Sequence, residues 1–130
     1  MGLENYNIVD IENVLTAKLK TLNITANLYP SARPSVVTST GMTEFLVIRS
    51  STDIDDRNAY GTIMTVVEIY VKDAGNLPSR ARISSIRNTI AAVLPYISTK
   101  YDYNYFTDTP MRPDGNGYTF QIIKLFTLIK

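Results

Sequence analysis

The sequence predicts an α+β fold: an antiparallel or mixed sheet of four to five strands with two helices packed mainly on one face. Three observations predict it. Two segments carry apolar residues at helical spacing, the β-branched and alternating segments outnumber them, and the order lacks the strict alternation of parallel βαβ units. That order is helix, strand, strand, long strand, helix, strand, strand.

From Ile8 the residues Ile8, Ile11, Val14, Leu15, Leu19 and Leu22 recur at helical spacing, with Glu12, Lys18 and Lys20 on other faces. Asn7 is the expected N-cap, and Asp10 favours the positive end of the helix dipole. The first helix is thus expected over about 8–22. "ITANLYP" alternates Ile24, Ala26 and Leu28 against Thr25 and Asn27 and reads as a half-buried strand stopped by Pro30. "SARPSVVTSTGMT" is rich in small polar residues and reads as an extended loop, with Val36 and Val37 as the place for a short strand. "EFLVIRS" is a strand, "STDIDDRNAYG" a turn or loop, and "TIMTVVEIYVKD" a long β-branched strand ended by Asp73, Gly75 and Asn76.

The second helix is expected where Ile83, Ile86, Ile90, Val93, Leu94 and Ile97 form one stripe. Arg80, Ser84, Arg87 and Asn88 lie on its opposite face, Pro78 suits its first turn and Pro95 ends or kinks it. "KYDYNYF" and "GYTFQIIKLFTLIK", joined by the loop "TDTPMRPDGNG", are expected to pair as a hairpin.

Residues 1–130 suit one domain, large enough to bury roughly two-thirds of its unfolded surface. The chain has no Cys and no His. Thiolate chemistry, Ser-His and Cys-His catalysis and most zinc sites are thereby excluded. With 13 basic and 12 acidic residues the net charge is +1, which supplies no general attraction to phosphate backbones or anionic membranes. The start "MGLENYNIVDIENVL" is acidic, and no apolar run approaches the roughly 18 residues of a membrane span. The expectation is a soluble protein made in the cytoplasm, with no cofactor.

The last strand is apolar on both sides. One face has Tyr118, Phe120, Ile122, Phe126 and Leu128; the other has Ile123, Leu125 and Ile129. The long middle strand repeats this, with Ile63, Val67, Ile69 and Val71 against Met64, Val66 and Tyr70. Two helices cover one face of such a sheet but hardly two, so a second surface is expected to be covered by another copy, unless one helix lies on each face or the loops fold over the sheet.

Several constellations bear on chemistry. Asp53, Asp55 and Asp56 resemble the start of a calcium loop, but Arg57 takes the next alternate position, Asn58 replaces the glycine and Met64 replaces the closing glutamate. Arg80 and Arg87 share a helix face, while Arg82 projects about 200° from Arg80. They read as a solvated face, as an intersubunit contact with the acidic loop or with Asp10 and Glu12, or as a phosphate contact. Glu44, Glu68, Asp102, Asp108 and Asp114 are available as carboxylates, without a phosphate cradle or nucleophile elbow beside them, so no enzyme is expected. Tyr101, Tyr103 and Tyr105 alternate in "YDYNYF", which permits a small nucleic-acid-binding module stacking bases on sheet tyrosines. The initial helix and the near-neutral charge speak against it.

The helix "IVDIENVLTAKLKTL", the strand ending in "LYP", the strands "EFLVIRS" and "TIMTVVEIYVKD", the helix "ARISSIRNTIAAVL" and the terminal hairpin together resemble the tail-terminator or tail-completion proteins of bacteriophages, and related neck and head-tail joining proteins. The resemblance runs over nearly the whole chain and lies in element order and size. It implies a structural virion protein that forms a ring, commonly a hexamer, at the head-proximal end of the tail tube, ending the tube and joining it to the neck. Its implied partners are its own copies, the tail tube and neck or connector proteins, with DNA only as cargo. The interface residues expected on this basis are Tyr101, Tyr103, Tyr105, Phe120, Phe126, Arg80, Arg87, Arg112 and the loop residues Asp53, Asp55 and Asp56.

Overall fold

The computed structural model describes residues 7–24, 27–30, 43–55 and 61–130, the side chains of residues 52–55 and 61 excepted. The first helix, α1, spans Ile8–Lys20. Asn7 is extended and its side chain accepts the N–H groups of Val9 and Asp10 at 2.9 and 3.2 Å, satisfying two otherwise orphan donors. The strands β1 (Leu28–Pro30), β2 (Glu44–Asp55) and β3 (Gly61–Lys72) follow, then helix α2 (Arg80–Ala91), then β4 (Tyr96–Ile97), β5 (Tyr101–Asp108), β6 (Arg112–Pro113) and β7 (Tyr118–Ile129).

The sheet runs in the order β1-β2-β3-β7-β5-β4, with β6 pairing alongside β7. Only the β1–β2 pair is parallel, so the sheet is mixed, as expected, but it has seven strands where four to five were anticipated. The surplus over five comes from β4 and β6, of two residues each, too short to leave a periodic signal. The hairpin of the last two long strands forms as expected, with Tyr101 opposite Ile129 and Tyr105 opposite Leu125.

Cross-strand partners share a face, so the register sorts the sheet. Leu46, Ile69, Ile48, Val67, Ile123, Leu125 and Ile129 lie on one side and pack with Ile11, Leu15 and Leu19 of α1 and Ile83, Ile86 and Ile90 of α2 in a single buried core. Both helices therefore sit on one face. The other side carries Phe45, Val47, Tyr70 and Tyr118 in a smaller buried cluster.

Boundaries differ from expectation in β2 and in α2. "STDIDDRNAYG" is not a loop from its start: β2 continues through Asp55, opposite Thr62. Pairing with the long β3 overrides the weak strand propensity of those polar residues. Residues 31–42, where a loop and a short strand at Val36 and Val37 were expected, lie outside the described residues, as do 56–60. The second helix stops at Ala91 rather than carrying the stripe onward, because Pro95 disfavours helical backbone at Leu94. Ile97 consequently falls in β4 and is exposed.

Glu12 also departs from its expected outward position. It is buried, and its carboxylate accepts the backbone N–H of Ser50 at 2.7 Å. At that point the β2–β3 register slips: β2 advances from Ser50 to Ile54 while β3 advances only from Thr65 to Ile63. A slip frees backbone groups from the ladder. The Ser50 hydroxyl in turn lies 3.2 Å from that of Thr65, which lies 2.7 Å from that of Thr127, so a line of hydroxyls crosses the core side of three strands. Replacing Glu12 with Ala strips Ser50 of this acceptor. We expect a loss of about 1–3 kcal/mol, measured by urea denaturation, and a loss of amide-exchange protection centred on Ser50.

Candidate assembly surface

The three alternating tyrosines do lie on one face of β5, but it is the helix-covered face. Tyr101 and Tyr103 are 1% and 0% exposed. A buried phenol needs a partner for its O–H. Tyr101 donates to Asp10 at 2.7 Å and Tyr103 to the carbonyl of Ile11 at 2.6 Å, both in the first turn of α1. Burial followed by the Asp10 contact pushes the Tyr101 hydroxyl up to about 12, and burial pushes that of Tyr103 well above its ordinary value. Tyr101 and Tyr103 are thus internal anchors for α1, correcting their assignment to a subunit interface. The same burial removes them as a base-stacking platform.

Tyr105 and Arg87 form a second internal link. The Arg87 guanidinium lies 5.4 Å from the Tyr105 ring centre, donates to its hydroxyl at 3.2 Å and pairs with Asp108 at 2.9 Å. Hydrogen bonds to Tyr105 and then Asp108 raise the Arg87 pKa above its already high ordinary value. Asp108 reaches α2 because of a bulge. The pairing steps from Tyr105 opposite Leu125 to Thr107 opposite Lys124, so Phe106 is the extra residue and Asp108 is turned to the helix side. Arg87 is half-buried and committed within its own chain, unlike Arg80, which is exposed at the start of α2. Arg82, set apart by helical angle, instead holds Glu44 through two bonds of 2.8 and 2.7 Å and the Ile24 carbonyl at 3.0 Å, tying α2 to β2.

The face away from the helices has two parts. Toward one end, Phe45 stacks on Tyr70 at 4.5 Å, Tyr70 on Phe120 at 5.3 Å, and Tyr118 meets Phe45 edge-on at 5.6 Å. Phe120 is therefore half-buried against an intramolecular cluster. The buried carboxylate of Glu68 accepts the Tyr70 hydroxyl at 2.9 Å and also binds Arg49, whose outer portion is exposed. The second part is open. Phe106 and Phe126 are 49% and 44% exposed and pack on each other at 4.4 Å, with Met64, Val66, Ile122, Lys124 and Leu128 half-buried around them. A shallow recess of about 260 Å³ beside them is lined by Arg49, Ser50, Ser51, Met64 and Val66.

Of the sequence-predicted residues, Phe126 lies at the centre of this open patch. Arg112 is exposed on β6, opposite Phe120. The backbone of Asp53 and Asp55 belongs to the distal end of β2, their side chains lie outside the described residues, and Asp56 does so entirely. Phe106 and Lys124 were missed. Phe106 follows the tyrosine strip in sequence, but the bulge that exposes it has no sequence signature. Lys124 interrupts an apolar strand, and that interruption was the available signal. A larger recess of about 560 Å³ between α1 and β4 is lined by Asp10, Val14, Tyr96, Ile97 and Lys100 among others, and its one carboxylate is already held by Tyr101. Among the described residues no cluster of three or more acidic, His or Cys side chains is placed to hold a metal ion, and no helix is long and apolar enough to cross a membrane.

Among solved structures, the fold is similar to that of a chain in the "Virion of native gene transfer agent (GTA) particle". The TM-score is 0.59 at 12% sequence identity, and the match spans 94% of this chain and 91% of that one. At that identity the likeness is one of fold. No protein-family model matches the chain and no curated protein matches its sequence.

The tyrosine anchors have a pH consequence. A phenol whose folded-state pKa is raised holds its proton more tightly in the native state. The stability it contributes is complete below about pH 10 and is lost as pH climbs through about 12. Denaturation midpoints measured across that window should fall with pH in the parent protein. The fall should be shallower in Tyr101→Phe, which should also be about 1 kcal/mol less stable at neutral pH.

Proposed function

We propose that this chain is a structural subunit of a phage-type virion, and more specifically a tail-terminator-like protein. It would assemble as a ring of its own copies, a hexamer by preference, at the head-proximal end of the tail, ending the tube and joining it to the neck. The observation that carries this reading is the end-to-end likeness of the fold to a virion chain, with little left over in either partner. The open patch around Phe106 and Phe126 supports it, because exposed aromatic rings set among half-buried apolar side chains on a sheet are suited to being covered in an assembly.

On this reading the protein works by shape and interface complementarity and is not an enzyme. Its location is the virion, after synthesis in the host cytoplasm, and its partners are its own copies, the tail tube and neck or connector proteins. DNA passes only as cargo. The nucleic-acid-module alternative loses its support, since two of its three stacking tyrosines are enclosed beneath α1.

Native mass spectrometry over a concentration series, with negative-stain imaging, tests the proposal. The expected result is a closed ring of defined copy number, weakened in a Phe106→Ser, Phe126→Ser double variant that retains the parent's far-UV circular dichroism. A strict monomer at every concentration, or an assembly indifferent to that double variant, would count against it.

A further inference from the structure

The turn between β6 and β7 reads Asp114, Gly115, Asn116, Gly117, and Asn116 is the only asparagine of the sequence followed by glycine. Both glycines have positive φ, 86° and 87°, and the space where either would carry a Cβ is open. Asp114 organises the turn. Its Oδ1 accepts the N–H of Asn116 at 2.7 Å and that of Tyr118 at 3.1 Å, while its own N–H donates to the Tyr118 carbonyl at 2.9 Å. The N–H of Gly117 stands between those two donors in sequence, yet no acceptor among the described residues holds it. Asn116 is exposed, and its side-chain amide likewise has no hydrogen-bond partner among the described residues.

An amide so placed is open to attack by the backbone nitrogen that follows it, a reaction that contributes to the thermal lability of asparagine. Any side chain on the following residue crowds that approach, and glycine has none. We propose that Asn116 is a site of spontaneous deamidation in the folded protein. The Gly117 nitrogen, after losing its proton to solvent base, attacks Asn116 Cγ with its electron pair. The Cγ–Nδ2 bond breaks, and Nδ2 takes up a proton and leaves as ammonia. Water then opens the cyclic imide. Cleavage between Cγ and the Gly117 nitrogen gives aspartate; cleavage at the main-chain carbonyl of residue 116 gives isoaspartate, with the chain rerouted through the former side chain. Nothing is oxidised or reduced, and water is the only co-reactant. Either product sets a second carboxylate beside that of Asp114. Isoaspartate also lengthens the backbone just before Gly117, whose carbonyl accepts the Asp73 N–H at 2.8 Å, and so loosens the join between this turn and the end of β3.

Two neighbouring cases differ. Asp114 also precedes a glycine, but two N–H groups hold its carboxylate, and it has no amide to expel. Asn76 is exposed, but it precedes Leu77, whose N–H is bound to the Ala74 carbonyl at 3.1 Å. The inference does not depend on the assembly reading.

Incubation of the folded protein at mildly alkaline pH, followed by peptide mapping with mass spectrometry, tests it. The peptide containing Asn116 should gain the mass of an amide-to-acid exchange and separate into aspartate and isoaspartate forms, while Asn76 stays intact. The rate should climb with pH, because the attacking nitrogen must lose its proton, and should stay within severalfold of the rate for the same chain in urea. Asn116→Gln, which must close a larger ring, should abolish the change at an unaltered thermal midpoint. In the isoaspartate fraction the Asp73 amide should lose protection against hydrogen exchange. An Asn116 that stays amidated in the folded protein, whether or not it converts in urea, would overturn the inference. So would conversion of Asn76 at the same rate, since the turn would then confer nothing.

Discussion

A tyrosine buried beneath a helix must find an acceptor for its hydroxyl, and the acceptors for Tyr101 and Tyr103 both lie in the first turn of α1. Residues about ninety positions apart in sequence are thereby joined at the start of one helix and the start of one strand. With that end of α1 fixed over β5, its next turn brings Glu12 to Ser50 on β2, three strands away on the same face, and Leu15 and Leu19 close over the middle. α2 is held by a different logic: Arg82 grips Glu44 at one edge and Arg87 grips Asp108 at the other. Five polar tethers thus place two helices on the same side. The opposite face is left to its own aromatic cluster and to the open patch.

Much of this architecture was legible in the sequence, and what was not has a physical reason in each case. Helical spacing located α1 and its Asn7 cap because both signals are local. Alternation showed which residues of β7 share a face, since side chains in a strand must alternate. It does not say which face turns inward, and Tyr101 and Tyr103 show the difference: an amphipathic ring suits a wet face and a hydrogen-bonded core equally well. The bulge at Phe106 reverses the alternation partway along β5, sending Asp108 to Arg87 and leaving Phe106 outside. Glu12 was misplaced because its burial depends on a backbone donor at Ser50, which composition does not reveal. The extension of β2 through Asp55 likewise depends on its neighbour, and not on its own polar residues.

The candidate site was legible only in outline. That one sheet face lacks helical cover follows from counting helices against strands that are apolar on both sides. Phe126 followed from the same pattern. Where that face is closed and where it is bare depends on tertiary stacking of Phe45, Tyr70, Tyr118 and Phe120, whose members are spread over three strands. Arg80 and Arg87 look equivalent on a helical wheel, yet one is exposed and the other engaged with Tyr105 and Asp108. Equivalent angles do not give equivalent neighbours.

The bulge in β5 also bears on how copies of such a molecule avoid one another. β5 lies near the edge of the sheet, where β4 covers only Asp102 and Tyr103. A flat strand there would offer its unpaired amides to any other strand, a route to uncontrolled stacking. The kink at Phe106 spoils that template while pushing an aromatic ring onto the adjacent face. One local irregularity therefore discourages indiscriminate backbone pairing at this edge and turns side chains, in place of backbone amides, toward the surroundings.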